Sequence, residues 1–400
     1  MKKIVLINSV CNGSTGKIML SIHKLAKENN FKSYCIYGRR NGPYDETCIK
    51  LGNNFSFLSH VLFTFIFNNH GRYSKYHTKK MIKKLKEINP DIIHLHNIHG
   101  YYLNYEILFN YLNNEYKGKV FWTLHDCWSF TGHCPHYSKI KCNKWKNKCY
   151  KCPQMKRYPI SLLFDTSKNE YQLKKKLFTS VKDMTIITPS VWLKEEVEKS
   201  FLKKYKIIAI NNGIDLNIFK PTKSEFRKKY KSKNKIILLG VAFDWGERKG
   251  LDVFIELSKR LSSKYQIVLV GTNKKIDKKL PKNIISIHKT DSQIDLAKIY
   301  TTADLFINPT REDNFPTVNL ESLACGTPGI TFNTGGSPEC FDTKSGSVVE
   351  YNNIDALEKE IYSVIENKEY NKKDCIKRAK EYNRDDKFKE YINLYNEKQL

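Results

Sequence analysis

The chain has 400 residues, more than one core usually takes and enough for two or three domains of roughly 150 residues each. It carries 69 Lys and Arg against 41 Asp and Glu, a net charge of +28, which favours an anionic partner such as nucleic acid, an anionic membrane surface or a phosphorylated ligand. No run reaches the roughly 18 apolar residues that cross a bilayer, and the apolar run behind Met1–Lys3 covers only residues 4–7, too short for a signal sequence. A cytoplasmic protein is expected, so the 11 cysteines are not read as a disulfide framework. Seven of them are scattered and expected in cores. Lys is spread along the chain rather than gathered in one block, so a Lys- and Asn-rich composition bias of the whole proteome is the competing reading of the charge.

In chain order, a buried-strand pattern at 3–8 leads through a Gly-containing turn at 12–16 into a helix over 18–29, with a short strand near 33–37. Residues 55–67 are apolar and aromatic, and Arg72, Lys75, Lys79, Lys80, Lys83, Lys84 and Lys86 follow. This stretch reads either as a core helix followed by a solvated one or as an apolar anchor with a basic face for an anionic bilayer. The β-rich runs 92–96, 120–124 and 185–188 come next. Residues 211–221 form a connector rich in turn formers, Asn212, Gly213, Asp215 and Pro221. A second series has strands at 235–241, 266–270, 284–287, 304–308 and 329–332, and helices at 251–261, 294–301 and 317–324. The tail, 375–397, reads as one charged helix. Strands alternating with helices give an α/β protein with parallel sheets. Two Rossmann-like, doubly wound domains facing across a cleft are expected. They span 1–207, with an irregular Cys-rich insertion at 128–159, and 208–380, with 381–400 a helix returning to the first domain.

Residues 304–339 carry the most chemistry. A strand ends in the loop 309–316, and a helix starts at Thr317. Open α/β sheets bind ligands at such strand ends, and the amides of Thr317 and Val318 suit a phosphate. Glu321 follows one turn later, about 6 Å along, within reach of ribose hydroxyls. Glu312 and Asp313 in the loop are candidates for sugar hydroxyls. A second tight loop, Thr334-Gly-Gly-Ser-Pro-Glu339, follows the next strand. The run 242–250 ends in Arg248-Lys249-Gly250 at a strand end, where cations can stabilise a departing diphosphate. The nucleobase is expected near Gly271-Thr272 and His288-Lys289, where backbone contacts leave its identity unread.

The string Asp313-Asn-Phe-Pro-Thr-Val-Asn-Leu-Glu321 resembles the E-x7-E motif of the family 4 retaining glycosyltransferases, which have the GT-B fold. Asp313 stands where that family has Glu, one methylene shorter, so the sugar contact is open between Asp313 and Glu312. Ala324-Cys-Gly-Thr-Pro and Gly335-Gly-Ser-Pro-Glu339 are similar to the family too. The resemblance implies Glu321 on the ribose, Asp313 on the transferred sugar and Lys249 on the phosphates. The family's usual earlier Arg is missing, Ala242 and Phe243 standing there, which leaves Arg248 as its substitute. The resemblance also implies that Gly16, in the first βα turn, lies near the donor phosphates and that His125 lies near the reacting centre.

The first half offers further polar groups at strand ends. His96, His99 and Asp126 form a candidate acceptor-side cluster, preferred over a His94–His96–His99 metal site because metal ligands must converge. Cys134, Cys142, Cys149 and Cys152 fall within nineteen residues, and four thiolates at a C-x2-C knuckle suit structural zinc. His133 and His136 are alternative ligands. The wider string from His125-Asp-Cys-Trp through Thr131-Gly-His-Cys to Cys152-Pro resembles the colanic-acid and exopolysaccharide subgroup of these transferases.

The expected activity is transfer of a hexose-type sugar, with retention, from a nucleotide-sugar to a saccharide or lipid-linked acceptor, without a catalytic metal. An anionic membrane at the inner face of the plasma membrane is the expected surface. A nucleotide-sugar epimerase or phosphorylase on the same fold and an inactive homologue are the nearer alternatives. A nucleic-acid-binding module would show clustered Arg with stacking aromatics, whereas dispersed Lys and loop-placed acids stand here, so no nucleic-acid partner is expected.

Overall fold

The computed structural model describes residues 1–43 and 45–397. Strands covered on both faces need continuous apolar runs rather than alternation, and Ile4, Val5, Leu6 and Ile7 are all fully buried in the first of them. The chain divides into two compact units, Met1–Ile210 together with the chain from Phe388 onward, and Asn211–Lys387. The first boundary thus lies three residues beyond the expected 207, and the returning segment starts at 388 rather than 381.

The first unit holds β1 (Lys3–Val10), α1 (Gly13–Glu28), β2 (Lys32–Arg39), β3 (Cys48–Lys50), α2 (Asn54–Phe67), α3 (Lys75–Ile88), β4 (Ile92–Leu95), α4 (Tyr105–Asn114), β5 (Lys119–Thr123), α5 (Ser167–Phe178), β6 (Met184–Thr188), α6 (Val191–Glu198) and β7 (Lys206–Ala209). Among the described residues its sheet has seven parallel strands in the order β3-β2-β1-β4-β5-β6-β7. The order reverses between β1 and β4, which makes the loops after those strands the natural ligand site of this unit.

The second unit holds α7 (Phe226–Lys229), β8 (Ile236–Val241), α8 (Leu251–Arg260), β9 (Tyr265–Val270), α9 (Lys274–Asp277), β10 (Ile284–Ile287), α10 (Gln293–Thr302), β11 (Leu305–Asn308), α11 (Thr317–Ala324), β12 (Gly329–Phe332), β13 (Gly346–Val349), α12 (Ile354–Asn367), α13 (Lys372–Lys380) and the start of α14 (Arg384–Asn396). Its six described strands run β10-β9-β8-β11-β12-β13, all parallel, with the reversal between β8 and β11.

Three local expectations are corrected. The Gly13–Gly16 stretch is the first turn of α1 rather than a loop, since that helix begins at Gly13. The tail is two helices, α13 and α14. The break between them lies against the connector, where the Ile214 amide donates to the Tyr382 carbonyl (2.8 Å) and the Arg384 amide to the Ile214 carbonyl (2.9 Å). A side chain at Gly213 would strike the Arg384 backbone, its Cβ falling 2.4 Å from Cα. The core-helix reading of 55–67 fails: α2 buries only His60 and Thr64, Phe57, Val61 and Ile66 are partly buried, and the other large apolar side chains are exposed, Phe55 81 % and Leu58 62 %. From Phe388 on, α14 packs into the first unit, with Phe388, Tyr391, Ile392, Leu394 and Tyr395 in one cluster with Ile4, Leu6, Met19 and Phe31.

Candidate functional site

In the second unit the reversal of strand order brings the loop after β8 against the loop after β11. The Arg311 amide donates to the Arg248 carbonyl (2.8 Å), and the Arg248 guanidinium to the Glu312 carbonyl (3.0 Å). Gly250 has φ +73°, and a Cβ there would sit 2.5 Å from the Pro309 carbonyl, so only glycine permits this approach. The result is an ion pair between Lys249 and Asp313, both half-buried. Glu312 is buried, only 4 % exposed. The Gly335 loop closes the other side: its φ is +54°, and a Cβ would overlap the Asp313 carbonyl.

Helix α11 starts at Thr317, with Pro316 before it and no side-chain cap. Its first amides, at Thr317 and Val318, are of the kind that receive anions. Glu321 stands one turn on, and the Tyr300 hydroxyl donates to its Oε2 (3.0 Å). A buried polar chain fixes the helix to the strand ends: Asn308 Nδ2 donates to Asn319 Oδ1 (2.8 Å), and Asn319 Nδ2 to Ser337 Oγ (3.1 Å). Arg311, itself buried, makes a two-pronged pair with Asp252 at 2.8 and 2.6 Å and holds the β11 loop to α8. Of the positions expected near the base, Thr272 shares a hydrogen bond with Ser286 (2.6 Å), and His288 is engaged by Asp277 (2.5 Å).

In the first unit, Asn8 at the end of β1 is buried, and its Oδ1 accepts from the amides of Ser9 (2.9 Å) and Asn97 (3.2 Å). It ties the β1 loop to the β4 loop. Gly16 lies in α1 with no room for a side chain, its ideal Cβ 2.5 Å from the Cys11 carbonyl carbon. His96, His99, His125 and Asp126 are brought into one cluster. His96 Nδ1 faces His125 Nε2 at 3.0 Å, and His99 sits 2.9 Å from Asp126 Oδ2 and 3.2 Å from the Tyr158 hydroxyl. Burial lowers the His125 imidazole to about 4 and drives His96 well below the usual range. Burial opposes ionisation of Asp126 too, yet His99 and the Trp128 amide hold that carboxyl at about 2. His94 is a structural group instead: its ring nitrogens meet the Tyr395 hydroxyl (2.5 Å) and Thr123 Oγ1 (2.8 Å).

Cys134, Cys142, Cys149 and Cys152 line one cavity with His133 and Trp145, all four as free thiols. Cys134 and Cys152 are hydrogen-bonding neighbours, and the Gly132 amide donates to Cys149 Sγ (3.2 Å). Sequence reasoning missed Asn8, Tyr300, Arg311 and the buried Lys174. The partners of Arg311 and Tyr300 lie 59 and 21 residues away, and no spacing rule reaches them.

Two consecutive doubly wound units of this kind give the chain the GT-B fold, and solved structures of that fold superpose on it. Sucrose-phosphate synthase from Thermosynechococcus elongatus matches with a TM-score of 0.72 at 14 % identity, covering 99 % of this chain and 98 % of that one. HepE from Anabaena in complex with UDP matches with a TM-score of 0.66 at 14 % identity over 99 % of both chains. The family described as Glycosyltransferase Family 4 matches residues 22–218, and Glycosyl transferases group 1 matches residues 220–382. The putative colanic acid biosynthesis glycosyl transferase WcaC of Escherichia coli is 22 % identical over 361 residues, 85 % of each chain. The chain belongs to the family 4 glycosyltransferases.

Proposed function

We propose that the protein is a retaining hexosyltransferase that moves a sugar from a nucleotide-sugar to a lipid-linked saccharide in the building of a bacterial surface or exopolysaccharide. The observation that carries this reading is the meeting of Lys249 and Asp313 at the reversal point of the second sheet, with Glu321 one turn into α11. Lys249, Arg248 and the amides of Thr317 and Val318 take the diphosphate. Charge grows on that group as the glycosidic bond breaks, so fixed cations and amides aimed at it lower the barrier without a catalytic metal. Glu321, oriented by Tyr300, accepts from the ribose. Asp313 rather than the buried Glu312 takes the sugar hydroxyls. His125 orients the sugar, and His96, His99 and Asp126 serve the acceptor; their mutual hydrogen bonds support a common role.

The test is turnover. UDP-, GDP- and dTDP-sugars are screened for a rise in melting temperature, since a bound ligand stabilises by mass action. The donor found is then given a lipid-linked acceptor, and the product's anomeric configuration is read by NMR. Retention of the donor's configuration, unaffected by EDTA, is the expected result. Failure of every nucleotide-sugar to stabilise the protein sinks the reading.

The outward face of α2 supports a membrane-borne acceptor. Leu62, Phe63 and Phe67 are exposed, as are Leu162, Leu163 and Phe164 on a loop joined to the helix through the Leu162 amide and the Phe65 carbonyl (3.0 Å). The next helix, α3, carries exposed Lys75, Lys79, Lys80, Lys83, Lys84 and Lys86, which fit an anionic bilayer. Arg72 is not part of that face, being paired with Glu106 and Glu170. No helix among the described residues is long and apolar enough to cross a membrane. Co-sedimentation with phosphatidylglycerol vesicles, weakened by L62E/F63E and absent with phosphatidylcholine, checks the assignment. The four cysteines of the insertion are assigned a structural zinc. Their shared cavity supports this, and loss of one bound zinc in C149S/C152S is its test.

A further inference from the structure

A second group of metal-type ligands lies at the β3 edge of the first sheet, among cysteines that sequence reasoning left as core residues. His23 on α1, Cys35 on β2 and Cys48 on β3 bring one ligand atom each within 4.8 Å of one another. Parallel pairing sets Cys35 directly beside Cys48, so their side chains leave the sheet on one face. Helix α1 packs on β2 and supplies the imidazole. The Cys48 thiol is within hydrogen-bonding reach of both Cys35 and His23. Asp45 stands next to them, its Oδ2 3.8 Å from His23 Nε2.

Polar groups suited to orienting metal ligands surround these side chains where they border the core. His23 Nδ1 is held by Ser33 Oγ at 2.8 Å, buried, which fixes the ring and leaves Nε2 on the side of Asp45 and Thr47. A ligating histidine is held through its other nitrogen in the same way. Asp45 is oriented by the Thr47 amide and hydroxyl (2.8 and 2.6 Å) and by Lys27 Nζ (2.9 Å). Cys48 is only half-buried, so an ion has a path in from solvent. Strand β3 is three residues long and is the sheet edge, too short to hold itself by backbone pairing alone.

We propose that His23, Cys35 and Cys48, with Asp45 as the fourth ligand, bind a thiophilic divalent cation, zinc being the probe of choice. Zinc bonds of about 2.0–2.3 Å give tetrahedral ligand–ligand edges of about 3.3–3.8 Å, so His23, Cys35 and Cys48, within 4.8 Å of one another, need to close by at most about 1.5 Å. Two thiols lose their protons to solvent on binding, and His23 binds neutral. Two thiolates and a carboxylate then face a double positive charge, and Lys27 offsets the remaining negative one. The ion ties the edge strand to β2 and α1.

The test is zinc stoichiometry on the full chain, purified reduced, stripped with a chelator and titrated with Zn2+ and Co2+. C48S is expected to bind one equivalent fewer than the wild type, whatever the insertion cysteines hold. In a C149S/C152S background one equivalent remains, raises the melting temperature and gives a thiolate-to-cobalt charge-transfer band. That equivalent weakens by at least about 100-fold in H23Q and by about 10-fold in D45N. Equal stoichiometry in wild type and C48S overturns the proposal. So does a Cys35–Cys48 disulfide as the resting state in mass spectra of the unreduced protein. Should C149S/C152S fail to fold, the wild-type and C48S comparison decides alone. Loss of zinc only in C149S/C152S supports the insertion site and sinks this one.

Discussion

Lys249 and Asp313 form an ion pair across two loops that lie 64 residues apart in the chain. The two side chains therefore share one point, and each sets where the other rests. K249M is expected to lower kcat by on the order of 100- to 1,000-fold, as loss of a group aimed at developing charge does. D313N falls as well, and the double variant falls little below K249M, because contacting partners do not add. Steady-state kinetics with the donor sugar check all three.

Glu321 is fixed by the Tyr300 hydroxyl. A contact to the ribose is made equally before and during the reaction, so its loss appears in KM rather than kcat. E321Q should raise the donor KM roughly 10- to 100-fold, the worth of one or two charge-assisted hydrogen bonds. Y300F leaves the carboxylate present but less well aimed, and a rise of a few-fold is expected. The same kinetic assay reads both.

Lys174 is buried, with Nζ donating to the carbonyls of Trp128 (2.8 Å) and Thr131 (3.1 Å) and lying over the Trp128 ring. Burial brings its ammonium down to about 7, against the pull of Glu170. K174M leaves two buried carbonyls without their donor and should destabilise the first unit by about 2–4 kcal/mol. Chemical denaturation followed by Trp fluorescence measures this, since Trp122, Trp128 and Trp145 all lie in that core.

Acid should weaken the first unit well above the range where carboxylates titrate. His94 is held at about 3 and His125 at about 4, both by burial, while in the unfolded chain they titrate near 6.5. Between those values the unfolded chain binds more protons, so stability falls as pH drops from about 6.5 towards 4. Asp126, held at about 2, adds a loss of the same sign lower down, as pH falls below about 3.8. Melting temperatures from pH 7.5 to 4.5 should decline steadily, and H94Q/H125N should decline less steeply.

Much of this was legible in the sequence because it is local. The apolar runs of the strands, the start of α11 at Thr317 and the position of Glu321 follow from periodicity and helix geometry alone. The Lys249–Asp313 pair could be placed on one sheet edge but not joined, since joining depends on strand order. Residues 55–67 stayed open between a core helix and a membrane anchor because periodicity tells which face is apolar and not whether another element covers it. His94 and His96 do stack, ring centroids 4.4 Å apart, but the hydrogen-bond partner of His94, Tyr395, lies 301 residues away, where no spacing rule reaches. The cluster of His23, Cys35 and Cys48 was invisible for the same reason: three scattered residues meet only after β2 and β3 pair and α1 packs over them.

The first unit is assembled from both sides of the second in chain order, and that has a consequence for how the protein is made. Residues 1–210 leave the ribosome with the faces of β1, β4 and β5 that receive Tyr391 and Tyr395 still bare. At ordinary elongation rates the helix that covers them arrives on the order of tens of seconds later. During that interval Phe121 and Ile4 lack their cover and His94 lacks the Tyr395 hydroxyl. The nascent first unit therefore exposes apolar surface of the kind that holding chaperones bind, whereas the second unit has a core contiguous in the chain and needs no later segment to complete it.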